Sequence, residues 1–432
     1  MALVLRQGPL AVWRCGLFLM GWMLSGGLAA AHADAQPTVF FPKTCLTARD
    51  LAVIVNDADP LSVRIGRYYA KVRRIPPQNV IHVRFPPGKA VMRPAQFMAL
   101  KAYVDAHTPR DVQAFALTWT LPYRVGCMSI TTAFAAGYDR RFCATGCKLT
   151  RFDPYFKSDS ARPYRDFGWR PTMMLAGASF DAVKALIDRG VASDGTHPAG
   201  TGYLVDTDDR ARDVRAVEFS PLVRRMRPLV HLVHVRANAI EDRKDVLFYF
   251  TGLARVPMIE SNDYLPGAIA DHLTSYGGVL VDSSQMSALR WLQAGATGSY
   301  GTVVEPCDFP GKFPDPAVVI SRYLRGETLI EAYWKSVAMP GQGVFIGEPL
   351  ARPYGGHAIY RDGRYWAIDV QTLPPGFYGI YGADSGIGPY RRVGVFAVSL
   401  GTKRIDVLDT RDSFYRIVGQ SSGGAQDVAW RR

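Results

Sequence analysis

Three features of the sequence predict a three-layer α/β domain with a mainly parallel, doubly wound sheet, followed by a small antiparallel β domain. Residues 245–306 hold short apolar runs, VLFYF at 246–250, GGVLVDSS at 277–284 and AGATGSYGTVVEP at 294–306. Segments with helix-like spacing, 264–273 and 286–293, separate them. Apolar runs bounded by glycine and joined by amphipathic segments are the pattern of βαβαβ in a sheet buried on both faces. The same alternation fills residues 51–119, and after about residue 353 the helical spacing gives way to short alternating runs.

LAVIVN (51–56) reads as the first strand. Asp59 supplies an N-cap and Pro60 a first-turn proline for a helix carrying Ile65, Tyr68, Tyr69 and Val72. NVIHVRF (79–85) is the second strand, 94–107 the second helix and FALTW (115–119) the third strand. Short connections between them predict right-handed crossovers. Residues 121–172 break the rhythm. They are rich in Arg, Tyr, Phe and Pro, hold three cysteines and show no period, so the segment reads either as a functional loop or binding flap or as a plain irregular insertion. A helix at 179–191, a strand at 200–206, a helix at 208–218 and a strand-like run at 229–235 follow. Helical segments at 317–324 and 329–336 and a glycine-marked run at 343–350 complete the α/β domain, taken as residues 37–353. Residues 354–432 form the β domain, with Asp362-Gly363 at a hairpin turn.

The N-terminus has a separate logic. Arg6 and Arg14 precede an apolar run, 15–31, that ends in AAAHADA. That layout is a secretory signal, residues 1–33, with Ala31-His32-Ala33 at the cleavage site. The mature chain is expected to be exported, periplasmic or extracellular, with no transmembrane span. The full chain carries a formal charge of +13, and +11 once the two arginines leave. The basic residues are scattered, without a polybasic block or an aromatic-interleaved stripe. This argues against nucleic acid and leaves an envelope polymer or protein as the partner class. Five cysteines remain after cleavage, which predicts disulfides plus one free thiol. Cys127, Cys143 and Cys147 are the candidates, Cys143 pairing with Cys147 or one of the two with Cys127.

Ligands of open parallel sheets sit beyond the carboxyl ends of the strands. The strand assignments place Asn56, Asp57, Thr118, Thr120, Asp206, Thr251, Gly252, Asp282, Ser283, Ser284 and Glu305 there. Asn56, Asp57, Thr251 and Gly252 form the candidate ligand-binding group. Glu305, Ser284 and Asp282 form the candidate catalytic group. A carboxylate on a buried strand end suits general acid–base work, and a serine needs a base beside it, for which His272 is the candidate. No G-x-S-x-G elbow surrounds Ser283 or Ser284. No cofactor is predicted. Asp206, Asp208 and Asp209 offer oxygens to Mg²⁺ or Ca²⁺, but an N-cap with an acidic first turn explains the same spacing more simply. His231 and His234 point oppositely on a strand. Gly295, Gly298 and Gly301 enter a strand rather than leave one, which reads as close backbone packing.

Two passages carry a resemblance to known families. VNDADPLSVRIGRYYAKVRRIPPQNVI (55–81) and LPGAIADHLTSYGG through GATGSYGTVVEPC (265–307), with GETLIEAYWKSV and GEPLARPY after them, resemble a family of exported bacterial proteins of unknown function. Its hallmark is an Asn strand end, Pro-x-Ser, Tyr-Tyr and Arg-x-Ile-Pro-x-x-Asn. The resemblance implies membership and no activity. More distantly, the layout is similar to that of gingipain-type peptidases of the caspase-like group. Their dyad places a His after one strand and a nucleophilic Cys after the next, where this chain reads Thr251-Gly252-Leu253 and Asp282-Ser283-Ser284. Cysteine peptidase activity is therefore not expected. The expectation is a caspase-like α/β domain acting as a non-peptidase binding or scaffold module of the cell envelope. The alternative is an extracytoplasmic hydrolase using carboxylate or serine residues at the strand edge.

Overall fold

The computed structural model describes residues 36–144, 147–399 and 401–420, so the signal-sequence reading of residues 1–33 lies outside the described residues. In chain order the first strands are β1 (Thr38–Phe40), β2 (Leu51–Asn56), β3 (Val80–Val83), β4 (Val91–Met92), β5 (Ala114–Leu117), β6 (Arg124–Val125) and β7 (Met128–Ser129). There follow β8 (Thr172–Met174), β9 (Thr201–Asp206), β10 (His231–Arg236), β11 (Val246–Gly252), β12 (Tyr264–Leu273), β13 (Gly298–Thr302) and β14 (Gly343–Gly347). The last six are β15 (Ile359–Asp362), β16 (Tyr365–Asp369), β17 (Gly376–Ala383), β18 (Arg391–Val398), β19 (Arg404–Leu408) and β20 (Phe414–Gln420).

The main sheet has ten strands in the order β10-β9-β11-β12-β13-β14-β8-β5-β2-β3. Each neighbouring pair is parallel except β13 and β14, which are antiparallel from Gly298↔Gly347 to Thr302↔Gly343. That junction divides the sheet into two parallel halves running in opposite directions. The carboxyl ends of β2, β3, β5 and β8 lie at one end of the sheet, and those of β9 to β13 at the other.

The local reasons follow the sequence. All six residues of β2 are buried, as an unbroken apolar run in a two-faced sheet requires. Helix α1 (Pro60–Val72) begins with Asp59 accepting the Leu61 amide at 2.9 Å and buries Ile65 and Tyr69. The C-terminal strands build two further sheets, β1-β20-β17-β18 and β15-β16-β19, which enclose one apolar cluster containing Trp366, Ile368, Tyr378, Ile380, Tyr415 and Ile417. The first strand, β1, belongs to this module and runs parallel to β20. From Pro37 onward the chain is one compact unit.

Several expected elements differ. Residues 264–273, expected as a helix, form β12, and 277–284, expected as a strand, form turns. The cause is two polar residues that sit inside the sheet and imitate helical spacing. Asp271 takes a hydrogen bond from Arg215 Nη2 at 2.8 Å, and His272 is bonded on both ring nitrogens. The glycine pair there serves packing, because a Cβ on Gly301 would lie 2.3 Å from the Gly277 carbonyl carbon. Residues 208–218 are turns and a short 3-10 segment, and the helix is Phe219–Met226.

The 121–172 insertion is a packed cover rather than a flap. Its helix Ile130–Ala136 is almost wholly buried, as are Phe142, Tyr155 and Trp169. Trp169 meets Trp334 edge-on at 6.4 Å. Its aromatics face inward from irregular backbone, so no period appears. Disulfides join Cys127 to Cys143 and Cys147 to Cys307, and Cys45 is the buried free thiol. Among the described residues no helix is long and apolar enough to cross a membrane. The disulfides and this observation are compatible with an exported protein.

Arg215 ties three segments together. Its Nη2 donates to Asp271 Oδ1 at 2.8 Å and to the Thr251 carbonyl at 2.7 Å, and its Nη1 donates to the Pro314 carbonyl at 3.1 Å. Arg215→Met leaves Asp271 buried without its cation, which is expected to cost about 3–5 kcal/mol. Denaturant unfolding measures it, and a loss within error of zero would mean that the pair contributes no net stability.

Candidate functional site

The antiparallel junction separates the residues that the sequence places at one edge. Asn56 and Asp57 follow β2 at one end of the sheet, while Asp206, Thr251, Gly252 and Glu305 belong to the other half. Asn56 is fully buried and holds its own turn. Its Nδ2 donates to the Phe85 carbonyl at 3.0 Å, and its Oδ1 accepts the Phe85 and Ala58 amides at 3.1 and 3.2 Å. Thr118 completes this structural cluster through Ser62 Oγ at 2.7 Å. Asp57 pairs with His82 at the surface, 2.7 Å away.

At the other edge, residues 207–213 lie directly over β11. Thr207 Oγ1 donates to the Gly252 carbonyl at 2.6 Å, and a Cβ on Gly252 would stand 1.9 Å from the Arg212 carbonyl oxygen. Only glycine fits under that crossing. Thr251 and Gly252 are thereby closed off, both buried. Asp282 is exposed, with a left-handed φ of 58°. Ser283 Oγ donates to the Tyr276 carbonyl at 3.0 Å, and the Ser284 carbonyl accepts Arg255 Nη2 at 2.8 Å. His272 does not serve either serine. Its Nδ1 accepts the Trp291 indole N–H at 2.9 Å, so Nε2 carries the proton and donates to the Met286 carbonyl at 3.0 Å. Burial holds it neutral, its pKa lowered to about 4.

Glu305 Oε1 accepts the Cys307 amide at 2.7 Å, beside the Cys147–Cys307 disulfide. Arg212 bonds Asp209 at 2.8 Å and Thr274 Oγ1 at 3.2 Å. Burial, and then the charge of Glu305, raise the Asp308 carboxyl. Because β12 ends at Leu273, the residues following the strand next to Thr251-Gly252 are Thr274 and Ser275.

The sequence did not single out Asp213. It is buried, its Oδ2 accepts the Thr207 amide at 3.1 Å, and its carboxyl is pushed up to about 7, first by burial and then by Asp206. Asp206, at the carboxyl end of β9, is held below the usual range chiefly by its hydrogen bond with Asp213. His234 Nε2 stands 3.4 Å from Asp206 Oδ2, with its Nδ1 on Ser220 Oγ at 2.7 Å. Asp206 opens on a cleft of about 440 Å³ with Asp208, Arg210, Arg236 and Asn238 in its walls. A carboxyl pushed upward next to one held down is the arrangement that acid–base chemistry uses. Asp209 is turned to Arg212, and the Asp208 amide donates to Asn238 Oδ1 at 3.2 Å. Among the described residues no group of three His, Cys, Asp or Glu side chains is arranged to hold a metal ion.

A second cavity, of about 530 Å³, lies between the amino ends of β9 and β10, the end of helix Pro316–Leu324 and the C-terminal module. Leu229, Leu324 and Leu373 give it apolar walls, and His231, Asp245, Arg325 and Lys403 give it polar and charged ones. Thr201 Oγ1 donates to Asp245 Oδ2 at 2.6 Å and therefore accepts from His231 Nδ1, 3.1 Å away.

No protein-family model matches the sequence, and no curated protein does. Among solved structures, the chain is similar to the Arg-specific cysteine proteinase gingipain R (RGPB). The identity is 8% and the TM-score 0.43, over 84% of this chain and 92% of that one. A second structure, described as "Structure of Protease", matches at 9% identity and a TM-score of 0.38 over the same shares. Likeness at this level assigns neither mechanism nor substrate.

Asp213 holds its proton more tightly in the folded chain than in the unfolded one, where a carboxyl titrates near ~3.9. Its contribution to stability is fully present below that pH and is lost as pH rises through about 7. Asp213→Asn removes that decline, so the variant should gain stability relative to the parent on going from pH 5 to pH 8. Denaturation at both pH values tests this, and an unchanged difference would show that Asp213 ionises normally.

Proposed function

We propose that this chain is an exported binding module of the cell envelope whose ligand occupies the 530 Å³ cavity between the α/β sheet and the C-terminal strands. The observation that carries the reading is the cavity itself. It combines leucine side chains with polar and charged groups at the meeting of two packed modules, a usual location of a ligand site. The edge where a caspase-like enzyme would work supports the same choice, because Thr251 and Gly252 lie beneath the 207–213 segment. In this reading the packed 121–172 insertion is a stabilising cover and the ligand sits elsewhere.

The Asp206–Asp213 pair favours a second reading, an extracytoplasmic hydrolase in which Asp213 donates a proton and Asp206 accepts one. Two measurements separate the readings. A thermal-shift screen of small molecules should yield ligands whose stabilisation disappears in Thr402→Trp, which fills the cavity from an exposed loop. Ligands indifferent to that substitution would count against the cavity. Chromogenic ester, glycoside and phosphoester substrates should show no turnover above buffer. Turnover abolished by Asp213→Asn would instead establish the hydrolase.

A further inference from the structure

We infer that the cavity between the modules takes an organic anion, a carboxylate or phosphate group carried on an apolar body. The inference rests on the binding-module reading and names the class of ligand. Its centre is Arg325, at the end of helix Pro316–Leu324, which lines the cavity. The acidic groups around it are already engaged. Asp159 pairs with Arg322, and Glu327 accepts from Arg322 at 3.1 Å and forms an ion pair with Lys335 at 2.8 Å. From Arg325 Nη2 those two carboxylates are 3.8 and 4.0 Å away, beyond hydrogen-bond reach.

Arg325 Nε is buried and has no acceptor at all. Burial first, and then the neighbouring Arg322 charge, work against the Arg325 cation. An Nε–H without an acceptor is costly, and an anion in the cavity would give the partly exposed guanidinium a closer partner than the two carboxylates at 3.8 and 4.0 Å. Lys403 stands exposed on the wall contributed by the C-terminal module. The acid in the lining, Asp245, has its oxygens occupied by the Thr201 and Tyr203 hydroxyls at 2.6 and 3.0 Å. His197 adds a donor. Its Nδ1 accepts from Gln371 Nε2 at 2.8 Å, so its Nε2 carries the proton. Leu229, Leu324 and Leu373 line the same space and suit an alkyl or aryl portion.

The test is isothermal titration of the whole mature chain with octanoate, octyl phosphate and octanol. At least one anion should bind about tenfold more tightly than octanol, the gain of a charge-assisted hydrogen bond. Which anion wins distinguishes a carboxylate ligand from a phosphate. Arg325→Met should erase the difference between the anion and octanol. Lys403→Met, on an exposed loop, should reduce it and serves if Arg325→Met does not fold. If all three probes bind equally and Thr402→Trp blocks them, the cavity reading stands and the anion assignment is overturned. If none binds the parent protein, both are overturned.

Discussion

The antiparallel contact between β13 and β14 is the constraint on which the rest of the structure depends. It reverses the direction of the sheet at its middle, so that one half opens its carboxyl ends opposite to the other. Tight backbone packing accompanies the reversal. Gly301 is pressed against Gly277 and Gly278, and a Cβ on Gly343 would fall within 2.0 Å of the Tyr300 hydroxyl. A side chain on Gly301 would push against the 277–278 turn, and one on Gly343 would push against β13 across the junction. Polar residues that would gather at one rim of an all-parallel sheet are therefore shared between two rims, with different neighbours and different work.

Much of the architecture was legible because burial on both faces writes long apolar runs, and β2, β5, β11 and β13 were all found that way. Misreadings arose where polar side chains are satisfied inside the core. Asp271 and His272 are bonded by Arg215, Trp291 and Met286, partners up to 56 residues away that no local pattern reveals. The disulfide from Cys147 spans 160 residues and is equally invisible to spacing. The candidate site was less legible than the fold. Asn56, Thr251 and Glu305 sit at strand ends or just beyond, as expected, but their hydrogen bonds go to their own turns and neighbours. Asp213 and Arg325 lie in segments whose sequence gives no sign of a cavity.

The polar groups divide into two kinds. Around Glu331, Glu327 and Lys335, buried charges meet one another, and Glu331 also accepts the Leu46 amide at 3.0 Å and the Thr328 hydroxyl at 2.6 Å. Such networks fix how segments dock, and breaking one partner leaves a stranded charge. Arg325 borders this network without a hydrogen bond from its Nε. Charges that meet one another thus adjoin a guanidinium whose Nε the chain leaves without an acceptor.

The pairing of β1 with β20 has a consequence for how the chain is made. β1 is among the first described residues to leave the ribosome, and the strand beside it is the last one described. Phe40 stacks near Phe414, and Val39 and Phe41 pack on a cluster assembled from β16 to β20. β1 must therefore wait, unpaired, until β20 has been synthesised. The C-terminal module then closes over β1 and β20 together, so the integrity of the one strand reports on the completeness of the other.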